Sequence, residues 1–228
     1  MEQEGVELSS PSLTAREKLV AQLSQQGITD PRVLAAVAHV PRERFLPEAL
    51  RDRAYENVAL PIAEEQTISQ PYIVGAMGQA LGLTGTETVL EIGTGSGYGA
   101  AILAELAAKV ISVELRFELA AAAAERLRGL NYRSVSVVLG DGSVGWPLGA
   151  PYDAISVTAC APEVPPVLLR QLSNRGRLVA PIGSQKEQHL ILVERRETHF
   201  HARNLGPVRF VPLLGAAGFR LLDRSRRN

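Results

Sequence analysis

The sequence predicts a doubly wound α/β fold, a mostly parallel seven-stranded sheet with an N-terminal helical cap. Three observations carry this. From residue 86 onward, short β-branched runs alternate with helix-spaced stretches. A glycine-rich turn joins the first of those runs to its helix. Before residue 86 the apolar spacing is helical, interrupted only by a proline-bounded loop. Strand, helix, strand in succession implies right-handed crossovers and parallel pairing.

The elements follow in order. Residues 1–12 are polar and read as frayed. Met1-Glu2-Gln3-Glu4 is acidic with no apolar run behind it, which argues against a secretory signal. A helix opens at Thr14, with Leu19, Val20 and Leu23 on one face, and Gly27 stops it. Asp30-Pro31 reads as a cap followed by proline at the first helical position. Val33, Leu34 and Val37 form that helix's apolar face and Pro41 ends it. Residues 57–71, holding Pro61 and Pro71, read as an extended loop or short strand pair. Helical spacing resumes over residues 72–81 through Ile73, Met77 and Leu81. Strands are then expected at Val89-Leu90-Glu91-Ile92, Val110-Ile111-Ser112-Val113, Val135-Ser136-Val137-Val138, Ala154-Ile155-Ser156-Val157 and Arg177-Leu178-Val179-Ala180. Helices are expected over residues 100–106, 117–127 and near 167–172. After Gly183 the helices stop, and residues 189–194 and 208–213 read as two late strands, antiparallel to the rest.

Composition narrows the class. Lysine plus arginine number 24 and aspartate plus glutamate 24, so no basic excess exists to neutralise a phosphate backbone, and nucleic acid is not the expected partner. The apolar share of 46% supports a core over 228 residues. No apolar stretch is long enough to span a membrane. Cys160 is the single cysteine, which excludes an intramolecular disulfide and a multi-cysteine metal site, and is compatible with a reducing cytoplasm.

The sharpest motif is Glu91-Ile92-Gly93-Thr94-Gly95-Ser96-Gly97-Tyr98-Gly99, at a strand-to-helix junction. Glycines there allow a tight turn and close approach of a ligand to free helix N–H groups. A dinucleotide site wants glycine at the first, third and sixth positions. Counted from Gly93, the sixth is Tyr98, so an NAD-dependent enzyme is the weakest option, and Glu91 would repel a phosphate. Glu114, at the end of the second strand, can accept from ribose hydroxyls, or be a solvated helix opener. Asp141, in Gly140-Asp141-Gly142, can accept from an adenine amine, or simply make a turn. Three acidic residues ending three successive strands point to S-adenosylmethionine.

At these residues the chain resembles the S-adenosylmethionine-dependent methyltransferases. Ala59-Leu60-Pro61-Ile62 followed by Gln66-Thr67-Ile68-Ser69-Gln70-Pro71-Tyr72 is similar to the signature of the protein-L-isoaspartate O-methyltransferase family. Val40-Pro41-Arg42-Glu43-Arg44-Phe45, Gly145-Trp146, Tyr152-Asp153-Ala154-Ile155, Ala161-Pro162-Glu163-Val164-Pro165 and Arg209-Phe210-Val211-Pro212-Leu213 extend the resemblance over residues 14 to 215. It implies a Rossmann-like methyltransferase sheet in one domain over residues 1–228, with helices and substrate loop in 1–85, the cofactor core in 86–183, and late strands and tail in 184–228. It implies methylation of the free α-carboxylate of isoaspartyl residues, the ester then closing to a succinimide. A carboxylate is already ionised at neutral pH, so positioning can suffice without a general base.

The resemblance further implies site residues. Ser69 holds the acceptor carboxylate, unless it serves to cap the helix near Pro71, and Thr67, Ile68, Val211 and Leu214 complete the substrate side. Gln66, Glu91, Gly93, Thr94, Gly95, Gly97, Glu114, Leu115, Asp141 and Gly142 hold S-adenosylmethionine or its product S-adenosylhomocysteine, with no metal. A cytoplasmic monomer acting on isoaspartyl proteins and peptides is expected. The family's Gly-x-Gly is here Ala63-Glu64-Glu65. That restricts the backbone if either glycine needs φ > 0, and it sets two carboxylates near an anionic substrate. Two other readings therefore stand: a non-catalytic module binding S-adenosylmethionine or its product, and a methyltransferase for another carboxylate.

A serine-hydrolase reading fails because neither Ser96 nor Ser143 sits in a G-x-S-x-G elbow. His39, His189, His199 and His201 are read as surface residues, Cys160 as a small buried hydrophobe, Trp146 as loop packing, and the arginines of residues 220–228 as a solvated basic end.

Overall fold

The computed structural model describes the backbone of residues 11–184 and 186–220. Residues 1–10 and the tail arginines Arg224, Arg226 and Arg227 lie outside the described residues.

The cap comprises α1 (Pro11–Gln25), α2 (Pro31–His39) and two short 3-10 helices, Arg42–Phe45 and Glu48–Arg53. Asp30 caps α2 as its sequence demands, accepting from the Arg32 N–H at 2.9 Å, with Pro31 in the first turn. Gly27 turns the chain at φ +102°. Its carbonyl and the N–H groups of Thr29 and Asp30 are all bound by the Gln79 amide of α3 (Pro71–Leu81), at 3.1, 2.6 and 2.9 Å. One side chain thus fastens the corner between α1 and α2 to the helix that leads toward the sheet. A separate hairpin of β1 (Leu60–Pro61) and β2 (Thr67–Ile68) precedes α3.

The main sheet contains β3 (Thr88–Ile92), β4 (Lys109–Glu114), β5 (Val135–Leu139), β6 (Tyr152–Val157), β7 (Leu172–Gly183), β8 (Gln188–Arg196) and β9 (His199–Pro207), in spatial order β5-β4-β3-β6-β7-β8-β9. Only β8 runs against the others. Helices α4 (Tyr98–Leu106) and α5 (Phe117–Gly129) connect β3 through β5, and the short α6 (Pro166–Leu169) connects β6 to β7. Successive residues of the central strands face opposite sides. Val89, Val110, Ala154 and Val179 pack with the cap, α3 and α4. Leu90, Ile111, Ile155 and Leu178 pack with Leu168 of α6. Both faces are covered, which is why these strands read as continuous apolar runs.

One expected strand moves. Residues 208–213 carry the apolar pattern of a strand, yet the last strand is the exposed, polar β9. The turn after β8 pairs Arg196 directly with His199 and so commits the intervening segment to the sheet edge. Pro212 has no N–H to give a ladder. The 208–213 run instead crosses the carboxyl ends of the strands, held by Cys160 N–H to Val211 O at 2.8 Å and Leu213 N–H to Cys160 O at 2.7 Å. The chain reverses its winding between β3 and β6, and open α/β sheets bind ligands in the crevice at such a switch point.

Candidate active site

A cavity of about 360 Å³ opens in that crevice. Its floor is the glycine turn. Gly93 and Gly95 have φ of +93° and +53°, a region that L side chains rarely adopt. A Cβ at Gly93 would strike Thr158 Oγ1, whose hydroxyl donates to the Gly93 carbonyl at 2.6 Å and holds the turn from β6. Gly97, at φ +90°, caps α4 and packs against Ala123 and Leu127 of α5; it does not line the cavity.

Glu91, one residue before the end of β3, and Glu114, the last of β4, both line the cavity. Glu91 is 1% exposed. Burial pushes its carboxyl up to about 8, against the Ser112 hydroxyl that donates to it at 2.5 Å, and with the Glu114 charge adding to the rise. Ser112 in turn shares a hydrogen bond with Thr94 at 2.6 Å. Glu114 accepts from the Gly95 N–H at 2.9 Å and from the Arg116 N–H at 3.0 Å, one on each oxygen. Each oxygen retains a lone pair for a further donor.

The opposite wall comes from the hairpin. Gln66, Thr67, Ile68 and Ser69 line the cavity, as do Val211, Leu214, Leu115, Thr94 and Gly142. Ser69 does not cap α3: the N-cap is Gln70, without a side-chain hydrogen bond. The Ala63-Glu64-Glu65 segment still makes a tight turn, with Gln66 N–H bonded to Ala63 O at 3.1 Å. Glu64 and Glu65 both take positive φ, 58° and 56°, whereas Ala63 does not. The loss of glycine is therefore felt at position 65 and harmless at 63. Glu64 pairs with Arg116 at 3.0 Å and ties the hairpin tip to the end of β4.

Asp141 stands apart. Its carboxylate accepts from Ser143 N–H at 2.9 Å and Ala216 N–H at 2.8 Å, and it is Gly142 that lines the cavity. Burial alone would raise its pKa, but these hydrogen bonds hold it below the ordinary carboxylate value.

Ser112, Arg116 and Thr158 escape a reading by motif, and Arg42 and Tyr98 fall inside motifs without being read as site residues. Only Ser112 leaves a signal, as a hydroxyl in an otherwise apolar buried strand. His199 and His201 are exposed on β9, Cys160 is buried, and Trp146 packs against the core by α6. No cluster of three or more potential metal ligands occurs among the described residues. No helix among them is long and apolar enough to cross a membrane.

A glycine turn and strand-end carboxylates at the switch point of an open, mostly parallel sheet define a methyltransferase of the Rossmann-like class. The profile of the protein-L-isoaspartate(D-aspartate) O-methyltransferase family matches residues 14–218, and the chain belongs to that family. A protein-L-isoaspartate O-methyltransferase of Rhodopseudomonas palustris is 54% identical over 208 residues, 90% of this chain and 95% of its own. That of Herpetosiphon aurantiacus is 50% identical, over 90% of this chain and 92% of its own. Among solved structures, a protein-L-isoaspartate O-methyltransferase matches with TM-score 0.82 and 32% identity, over 92% of this chain and 69% of that one. A Plasmodium falciparum structure of the same description, in complex with S-adenosyl-L-homocysteine, shares the fold at TM-score 0.74 and 23% identity, over 87% of this chain and 98% of that one.

Proposed function

We propose that the protein methylates the free α-carboxylate of L-isoaspartyl residues in damaged proteins and peptides, using S-adenosylmethionine, and so starts their repair through a succinimide. The observation that carries this reading is one cavity shared by the glycine turn of β3 and Ser69 of the hairpin. Family membership supports the acceptor.

The residues fit the cofactor. At Gly95, where an added Cβ would meet only Ile62 at 3.8 Å, the turn leaves room for a ligand against its main chain, and Glu114 retains acceptor capacity for ribose hydroxyls. Glu91, buried beside the turn, suits the cationic methionine end, since a nearby cation favours its ionised form. The adenine side falls to Gly142 and Leu115, with Asp141 holding Gly142 in place. S-adenosylmethionine supplies an electrophilic methyl group on a sulfonium. Ser69 orients the acceptor carboxylate, while Ile68, Val211 and Leu214 exclude water from it. No base is required for an acceptor already ionised at neutral pH. One buried cysteine, with no second to pair, suits a cytoplasmic enzyme, and we take it to act as a monomer.

The test is labelled-methyl transfer to an isoaspartyl peptide bearing a free α-carboxylate and to its α-amide. Label on the free acid alone, released as methanol by base, is the expected result. Label on both, or tight cofactor binding with no transfer, would sink the reading.

A further inference from the structure

Among the described residues the cavity wall carries three glutamates, Glu65, Glu91 and Glu114, and one basic residue, Arg116, which is engaged with Glu64. An anionic acceptor entering such a cleft needs a positive charge that the protein has not already neutralised. Arg42 is not itself in the wall but touches two residues that are, Ser69 and Tyr98. It is fully buried, at 0% exposed, in the short helix after α2. No carboxylate among the described residues pairs with it. Each of its three nitrogens donates instead to a main-chain carbonyl: Nε to Ala54 at 2.8 Å, one terminal nitrogen to Ser69 at 2.9 Å, the other to Val58 at 3.1 Å. Its guanidinium also lies 4.9 Å from the ring centroid of Tyr98. Tyr98 lines the cavity, and its buried hydroxyl has no partner of good hydrogen-bond geometry among the described residues. The guanidinium stacks on this ring, while its nitrogens serve carbonyls. Carbonyl dipoles satisfy the N–H groups but leave the unit charge intact, and burial weakens its screening by solvent.

We propose that Arg42 is a positioning residue for methyl transfer, setting Ser69 through its carbonyl and supplying the uncompensated positive potential that draws the acceptor carboxylate into the cavity. This rests on the isoaspartyl methyltransferase reading. The charge governs KM for the acceptor; the threefold carbonyl brace governs kcat through the placement of Ser69.

The two contributions separate in Arg42→Lys and Arg42→Gln. Lysine keeps the charge and cannot span three carbonyls in the guanidinium's geometry. Arg42→Lys is expected to lower kcat about tenfold with KM for an isoaspartyl peptide within about threefold. Arg42→Gln is expected to lower kcat similarly and to raise KM about tenfold further. S-adenosylhomocysteine affinity, read by calorimetry, stays within about threefold in both, since the hydrogen bonds of Arg42 go to Ala54, Val58 and Ser69 and none to the glycine turn. Equal KM in the two variants, or cofactor affinity falling in step with activity, overturns the proposal. Should Arg42→Gln not fold, an unchanged kcat in Arg42→Lys overturns it alone. Peptide binding to the S-adenosylhomocysteine-loaded protein is a second readout that needs no turnover. If the parent protein binds the free-acid peptide over its amide in an Arg42-dependent way but does not methylate it, the functional reading fails and the role of Arg42 stands. If binding ignores Arg42, the role of Arg42 fails.

Discussion

Glu91→Gln is the substitution that reads the electrostatics of the cavity most sharply. Glu91 is buried against Ser112 and the main chain at Gly99, and burial raises its carboxyl from an ordinary 4.5 to about 8. Because the folded value is the higher one, the unfolded chain ionises first as pH rises. The stability contributed by the protonated native group is therefore whole below pH 4.5, declines from there and is lost by pH 8. The decline is about 1.4 kcal/mol per pH unit, or roughly 3 kcal/mol by pH 7. Glutamine is neutral at every pH and escapes it. For a chain of this size about 2–4 °C follows each kcal/mol, so Glu91→Gln should melt on the order of 10 °C higher than the parent at pH 7 without ligand. Melting curves from pH 5 to 8 read the effect, and the gap between variant and parent should widen steadily with pH. Binding of the cationic cofactor favours the ionised form, so the parent should release a proton on binding at pH 7, visible as a buffer-dependent calorimetric heat. A melting gap that ignores pH would refute the assignment of a neutral Glu91.

Glycine substitutions separate close approach from mere turning. Gly99→Ala drives a Cβ into Glu91 Oε1 and should destabilise by roughly 1–3 kcal/mol in denaturant titration, whereas Gly129→Ala, with nothing within 4 Å, should be neutral or slightly stabilising. Glu114→Ala removes the acceptor shared by Gly95 and Arg116 and should weaken cofactor binding about tenfold by calorimetry; unchanged affinity would take Glu114 out of the site. Ser69→Ala should lower kcat about tenfold while leaving S-adenosylhomocysteine affinity within about twofold, and a parallel loss of both would mean that Ser69 shapes the cavity without orienting the acceptor.

The sequence made the central strands and the cofactor turn readable because both depend on local pattern. The runs around Val89, Val110, Ala154 and Leu178 are buried on both faces, and Asp30-Pro31 caps α2 by contacts two residues apart. What depends on distant partners stayed hidden. Arg42 acts on carbonyls 12, 16 and 27 residues away, which no spacing rule exposes. The apolar run at 208–213 has the composition of a strand, and only the tertiary competition with the β8–β9 turn sends it over the cavity instead. Asp141 has the position of a ligand contact, yet it is its neighbour Gly142 that lines the cavity, while Asp141 accepts from the N–H groups of Ser143 and Ala216. The double-glutamate turn shows the reverse: the sequence flagged a departure, and the backbone adopts the strained conformation nonetheless, at roughly 1–2 kcal/mol per residue, with the Glu64–Arg116 pair holding it shut.

The central claim is that this cavity selects an isoaspartyl linkage. The direct measurement offers the protein two peptides of identical sequence in one tube, one with an isoaspartyl residue and one with its aspartyl twin, together with methyl-labelled S-adenosylmethionine, and separates the products by chromatography. Label confined to the isoaspartyl peptide is the predicted result. Equal label in both peptides, or label in neither while the cofactor binds, would contradict it.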